Sequence, residues 1–330
     1  MSKTTYVVIG SNCFTGCHIV DALLDDPDNK VIGVSRSPEY KDFFLPYKQR
    51  KNPDFTFHQI NSVREFDLLI ELLDATKPEV VINVAALSEV GLSNYSPVEY
   101  FDINTTAVVK LCDQLRSRDY LKSYVHISSA EIFGSCADKV TEETLFNPST
   151  PYAVSKAAAD MYLNTISKNF GFPAIIIRST NVYGRHQQLF KIIPRTAIYL
   201  KMGKTIELHG GGTSVKSFIH VRDVVQGLLL ALKQGNPGTY HFTVPSDRTI
   251  ADIVGQVCAG MGYDFEKCVQ VVGERLGQDS QYLLDCSRAE RELCWQPQVS
   301  FEQGVQEVIE WVESNWSAIE QEPLVYIHKN

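Results

Sequence analysis

Val7–Val8–Ile9–Gly10–Ser11–Asn12–Cys13–Phe14–Thr15–Gly16 is an apolar run, a glycine-bounded turn and the start of a helix. Gly10 permits a tight turn, and Gly16 lets the helix pack close to the strand. The N–H groups exposed at the helix start, from Asn12 to Thr15, can hold a pyrophosphate. Cys13 stands where a middle glycine is common, which predicts a backbone that approaches the phosphates less closely. A glycine turn of this sort is by itself about as often structural as cofactor-binding. Its place at the first strand–helix junction is what marks it as a dinucleotide site.

Beyond the turn, short apolar strands alternate with amphipathic helices. The strands are expected at Tyr6–Ile9, Val31–Val34, Phe55–His58, Val80–Val84, Ser123–Ser128 and Ala174–Arg178. The helices are expected at Gly16–Leu24, Val63–Leu73, Val98–Arg116 and Tyr152–Asn169. This alternation predicts an α/β fold, a parallel sheet with helices on both faces. Right-handed crossovers make it a doubly wound Rossmann sheet. From about Thr180 the loops lengthen, and Gly210–Gly211–Gly212 interrupts the rhythm. Thr239–Val244 reads as one more strand, and a helix starts near Ile250. The expected division is a dinucleotide-binding domain at 1–179 with a return near 221–245, and a smaller C-terminal lobe at 180–220 and 246–330. That lobe would lid the carboxyl edge of the sheet. Trp295, Trp311 and Val305–Val312 read as core, and the polar stretch from about Ser317 as a loose tail.

The bulk numbers fit an ordinary globular protein: 330 residues, 44% hydrophobic and 21% charged. A formal net charge of −8 argues against a nucleic-acid binder. No apolar run reaches the roughly 18–20 residues that span a bilayer. Met1–Thr5 leads straight into a strand without a signal-peptide pattern, and the eight cysteines lack zinc-ribbon spacing. A cytoplasmic protein with reduced thiols and no membrane contact is therefore expected. His186 and His209 have no second ligand at metal spacing, so no metal site is expected.

The second strand ends Val34–Ser35–Arg36–Ser37. An NAD site usually places a carboxylate there for the ribose 2′-hydroxyl. Ser35 and Arg36 instead suit a 2′-phosphate, so the reading favours NADP over NAD. Gln59 and Ile60 fall where the adenine should lie.

Tyr152 and Lys156 stand four residues apart on one helix face. An ammonium near a phenol lowers the phenol's pKa and lets it accept a proton from a substrate hydroxyl. Hydride can then leave that carbon for a nicotinamide. The pair follows Ser128–Ser129 at a strand end, the edge where such sheets bind ligands.

With these residues in view, the chain resembles the extended short-chain dehydrogenases/reductases of the NAD-dependent epimerase/dehydratase family. Asn83–Val84–Ala85–Ala86, Asn104, Ser128–Ser129, Tyr152–Lys156 and Arg178–Gly184 follow the family order. Ile193–Pro194, Gly210–Gly212, Lys216–Asp223 and Arg275–Tyr282 are similar to the nucleotide-sugar 4,6-dehydratases, of the dTDP-glucose or GDP-mannose type. The resemblance implies that Ser129, Tyr152 and Lys156 carry hydride transfer, with Asn104 supporting the site. It places Ala85 and Ala86 on a tightly bound, recycled cofactor. It places Ser88, Ser129, Asn181, Lys216 and Arg275 on a nucleotide-diphosphate hexose, held by the C-terminal lobe. Most relatives have arginine at position 216; lysine keeps the charge without the bidentate geometry. A homodimer through the helices at Val98–Arg116 and Tyr152–Asn169 is also implied.

Glu131 bears on the reaction type. After oxidation at C4 of a hexose the C5 proton is acidic, and loss of the C6 hydroxyl needs a base at C5 and an acid at C6. Dehydratases of this kind carry Asp–Glu or Ser–Glu where this chain has Ala130–Glu131, and 4-epimerases lack the carboxylate. Glu131 can serve as the C5 base and pass the same proton to the leaving hydroxyl in a syn elimination. The leading expectation is a 4,6-dehydratase, a lyase giving a 4-keto-6-deoxy sugar of the kind used in surface polysaccharides. A 4-epimerase, a sugar-acid decarboxylase and an inactive cofactor-binding regulator are the alternatives.

Overall fold

The computed structural model describes residues 3–50, 52–245, 248–273 and 283–326. Its centre is a seven-stranded sheet. The first six strands are β1 (Thr4–Ile9), β2 (Asn29–Ser35), β3 (Phe55–Gln59), β4 (Val80–Asn83), β5 (Ser123–Ile127) and β6 (Ala174–Ser179). They lie in the order β3-β2-β1-β4-β5-β6, and Gly238–Phe242 adds a seventh beside β6. Every pairing is parallel. The chain therefore reverses direction across the sheet between β1 and β4, which opens a crevice at their carboxyl ends. Ile9 is level with Val34 on one side and Asn83 on the other, so β1, β2 and β4 end together beneath the glycine turn.

Strand alternation sorts the core into two layers. Val8, Ile82, Val125, Ile175 and Ile177 face the Phe14–Leu23 and Val221–Gln234 helices. Val7, Ile9, Ile32, Val81, Tyr124 and Ile176 face the helices that run over 66–76, 107–115 and 151–170. A third core unites the helices Ile192–Lys201, Ile250–Gly260 and Phe301–Ser314 through Ile193, Ile253, Val257, Val308 and Trp311. This is the smaller lobe at the carboxyl edge of the sheet.

Three local features depart from the sequence expectation. The stretch expected as one helix at Val98–Arg116 is a short helix Pro97–Phe101, a π-helical turn Asp102–Thr106 and a helix Ala107–Leu115. The widened turn sets Asn104 inward, where it is fully buried. The Ser287–Leu293 helix and Trp295 join the sheet's core and not the smaller lobe. Ala289, Leu293 and Trp295 pack with Phe242, and the Trp295 indole donates to the Asp223 carbonyl at 2.9 Å. The stretch from Ser317 is not a loose tail as far as Tyr326. Ile319 is buried, Leu324 lies on the third core, Glu322 pairs with Lys41, and the Tyr326 ring stands edge-on to Phe190.

Candidate active site

The glycine turn is built by close backbone approach. Gly10 has φ +91°, and a Cβ there would lie 2.7 Å from the Ala85 nitrogen. Cys13 caps the Phe14–Leu23 helix with ordinary extended backbone (φ −75°), and its sulfur accepts from the Gly16 N–H at 3.3 Å. The position therefore has no need of a left-handed residue, and the thiol, whose pKa burial pushes up to about 11, sits on the helix's own first turn. The Phe14 side chain is buried against the His18 ring, so Phe14 faces the turn with backbone alone. Thr15 lies beside it in the same first helical turn.

Ser35, at the end of β2, is buried and already engaged. Its hydroxyl accepts from the Asn12 N–H at 3.0 Å and lies 3.3 Å from the Ser11 hydroxyl. The Asn12 amide in turn donates to the carbonyls of Ser37 at 3.0 Å and Pro38 at 2.8 Å. Arg36 is left as the cation at this edge, half-buried, with its carbonyl accepting from Gln59 at 3.3 Å. The Ile60 N–H bonds the Ser35 carbonyl at 3.0 Å, so Gln59 and Ile60 do border the end of β2. A backbone cradle with no room for side chains, a helix N-terminus above it and one arginine at its rim fit a dinucleotide with a pyrophosphate.

Past β4, Ala85 donates its N–H to the Ile9 carbonyl at 3.1 Å, and Ala86 follows half-buried. Asn104 fastens this loop to the long helix. Its carbonyl oxygen accepts from the Leu87 N–H at 2.9 Å, and its amide donates to the Leu87 carbonyl and the Ser155 hydroxyl, both at 3.0 Å. Asn104 is thus a brace between the loop after β4 and the long helix.

That helix, Pro151–Phe170, begins cleanly because Thr150 caps it and Pro151 fills its first position. It brings Tyr152 to the end of β5. Ser129 accepts from the Glu131 N–H at 3.2 Å, opening the 3₁₀ turn Ala130–Phe133, and hydrogen-bonds the Tyr152 phenol. Burial raises the phenol's pKa most, the Glu131 charge raises it further, and Ser129 opposes both. Ser129, Glu131 and Tyr152 therefore form one electrostatic unit.

Lys156 is placed differently from the expectation. Its ammonium lies down against β5, donating to the Ile127 carbonyl at 2.7 Å and meeting His126 Nε2 at 3.0 Å. The phenol is thus not lowered by it here. Burial brings the lysine's pKa down to about 8, with Asp160 acting against the shift. Ala130 is 1% exposed and packs with Ile132, Phe133 and Ala157, so it presents no group to a substrate.

In the second lobe, Asn181 donates to the Ser217 carbonyl at 3.1 Å, next to the buried Lys216. Both stand just beyond the carboxyl edge of β6. Ser88 is exposed in the loop after β4, and Arg275 lies outside the described residues. His186 and His209 are spent on the backbone carbonyls of Phe43 and Gly273, at 2.7 and 3.0 Å. The sequence reading missed His126, which looks like an ordinary strand residue until the fold sets it against Lys156. It also missed Glu89, ion-paired to Lys191 at 2.5 Å and adding to the charge felt by the phenol. The position of His126 on β5, two residues before Ser128 and so on the same side of the strand, is its one local signal.

Residues 6–243 match the NAD dependent epimerase/dehydratase family. The chain is 26% identical to the dTDP-glucose 4,6-dehydratase of Haemophilus influenzae, over 94% of this chain and 98% of that one. Among solved structures, the dTDP-glucose 4,6-dehydratase of Streptomyces venezuelae with NAD bound superposes with a TM-score of 0.87 at 28% identity, covering 96% of this chain and 98% of that one. The UDP-glucose 4-epimerase of Thermotoga maritima shares the fold, with a TM-score of 0.86 at 23% identity over 95% of this chain and all (100%) of that one. With the doubly wound sheet, the glycine cradle and the Ser129–Tyr152–Lys156 arrangement in place, the chain belongs to the NAD dependent epimerase/dehydratase family.

Proposed function

We propose that the chain is a nucleotide-sugar 4,6-dehydratase, producing a 4-keto-6-deoxy sugar. The observation that carries this reading is Glu131, whose charge acts on the Tyr152 phenol across Ser129. Oxidation and return alone need no carboxylate there; removal of a C5 proton does. Similarity to dTDP-glucose 4,6-dehydratases over 94% of the chain supports it.

The dinucleotide, when bound, supplies the hydride acceptor and donor. The protein's own part begins with Ser129, which orients the C4 hydroxyl toward Tyr152. Tyr152 takes that proton as the phenolate, whose negative charge the buried Lys156 ammonium stabilises once the substrate completes the site. Glu131 then removes the C5 proton and delivers it to the departing C6 hydroxyl from the same face, since Ala130 offers no second acid. Glu131 afterwards returns a solvent proton to C5, and Tyr152 releases the proton it took to solvent. Asn181 and Lys216 hold the diphosphate, with Ser88 as a further contact. A dinucleotide held at the Gly10–Gly16 turn would be regenerated in each cycle and would not need to exchange.

Arg36 makes NADP the preferred dinucleotide in this proposal, since Ser35 is consumed by the turn and no carboxylate stands at the end of β2. The partner is a second copy of the chain, set against the outer faces of the helices at 97–115 and 151–170. Val98 (73% exposed), Met161 (61%) and Val154 (38%) form an apolar surface there. The eight cysteines are all free thiols, which suits a cytoplasmic setting. Among the described residues no helix is long and apolar enough to cross a membrane.

The test is a panel of nucleotide hexoses, read by the alkaline absorbance of a 4-keto product. Glu131→Gln should lower kcat by about 10²–10⁴ while cofactor reduction in a single turnover persists. Accumulation of free reduced cofactor with product would sink the scheme. The buried Ala130 favours a second reading, a 4-epimerase or decarboxylase; undiminished epimerisation by Glu131→Gln would establish the epimerase.

A further inference from the structure

Beneath Lys156 lies a charged group that hydride transfer does not itself require. Arg178, near the end of β6, and Asp160, on the Tyr152–Lys156 helix, form an ion pair at 2.9 Å with both side chains 0% exposed. The guanidinium also donates to the Glu142 carbonyl at 3.2 Å and lies 3.4 Å from His241 Nε2. Its flat faces meet two rings, Phe146 at 4.9 Å and Phe133 at 5.3 Å. Phe133 closes the same 3₁₀ turn that carries Glu131. Arg178 therefore joins the helix bearing Tyr152 and Lys156 to the turn bearing Glu131.

Stability alone does not explain such a pair. Desolvating two charges offsets most of their attraction unless every remaining polar atom is satisfied. Here Asp160 Oδ1 and Arg178 Nη2 make no hydrogen bond among the described residues. Asp160 is one helical turn beyond Lys156, so its carboxylate and the ammonium share a helix face.

We propose that Arg178 and Asp160 are positioning residues for Lys156 and Glu131, Asp160 holding the lysine charged in its dry site and Arg178 metering that carboxylate while fixing the turn. This rests on Lys156 acting in the reaction as set out above. Around Lys156 the ionisable groups are His126 on β5, Tyr152 and Asp160 on its own helix, Arg178 on β6 and Glu131 on the turn. Asp160 raises the lysine's pKa against burial. Arg178 and Lys156 together help to keep His126 neutral, after burial itself. A neutral His126 can accept from the ammonium without repelling it.

The experiment is an NMR titration of Lys156, labelled at its ε-carbon, beside the pH dependence of kcat in the full-length enzyme. Asp160→Asn should move the lysine titration, and the alkaline loss of kcat with it, down by about one pH unit. Arg178→Gln should move both upward, because the carboxylate then acts on Lys156 unopposed. KM for the nucleotide sugar should hold within about twofold in each, since neither residue reaches the substrate. Opposite shifts are the signature; a purely structural role would lower kcat in both with the titration unmoved or displaced in one direction. An unmoved titration, or shifts of the same sign, overturns the proposal. Should Asp160→Asn fail to fold, Asp160→Glu keeps the charge and must keep the native titration, and a downward shift there overturns it equally. Retained turnover in Lys156→Ala would refute the catalytic reading instead, and the titrations distinguish the two failures.

Discussion

Gly16 stands against the backbone of Gly10 so closely that a Cβ on Gly16 would lie 2.1 Å from the Gly10 carbonyl oxygen. No side chain fits that gap, and backbone on the far side of it cannot yield. Cys13, in the same turn, has φ −75° and leaves its backbone in a conformation any residue adopts.

The two positions should therefore respond very unequally. Gly16→Ala is expected to destabilise the fold by about 2–3 kcal/mol through overpacking. It should also weaken dinucleotide binding by about a hundredfold or more, because the helix N-terminus moves off the phosphates. Cys13→Gly should cost no more than about 1 kcal/mol and leave binding intact. Thermal unfolding and fluorescence titration with the dinucleotide measure both.

Acid should unfold the protein earlier than its carboxylates alone require. His220 and His241 are 3% and 0% exposed, and burial lowers each pKa from 6.5 to about 3. In the unfolded chain they bind protons below pH 6.5 while the native state refuses them, so stability falls with pH across the window from 6.5 to about 3. By pH 5 the loss is about 2 kcal/mol for each histidine. Urea midpoints measured at pH 7 and pH 5 check this, and equal midpoints would refute it.

Arg36 is the group on which the proposed preference for NADP depends. Arg36→Ala should raise the Kd for NADP by about ten- to a hundredfold, the value of a charge-assisted hydrogen bond, with little change for NAD. Equal effects on both dinucleotides would remove the preference and leave Arg36 a rim residue. Calorimetric titration with each dinucleotide is the direct measurement.

Val154 and Met161 lie seven residues apart, on one stripe of the long helix. Replacing both by lysine should convert a dimer to a monomer in sedimentation, while the fold survives because both side chains already face solvent. A native chain that sediments as a monomer would exclude the helix-paired dimer.

The alternation of strands and helices, the turn at Gly10–Gly16 and the strand-end Ser129 were legible because each is local chemistry: period-two burial, a glycine where no Cβ fits, a hydroxyl at the ligand edge. Tyr152 and Lys156 were legible as a pair by helical spacing, and Glu131 through the resemblance to dehydratases that carry a carboxylate at that position. Spacing along a helix states which residues share a face, but not which neighbour each side chain meets. Lys156 lies against His126 and the Ile127 carbonyl because β5 passes beneath it. Asn104 braces Leu87 to Ser155 because a π turn rotates it inward. Arg178 reaches Asp160 only because β6 lies under the long helix. Sequence alone determined the elements and the residue types at their ends, since these follow from local sterics and burial. Tertiary packing decided the partners that Lys156 finds on β5 and Arg178 finds in Asp160, because those partners come from segments far apart in the chain and meet only across the finished sheet.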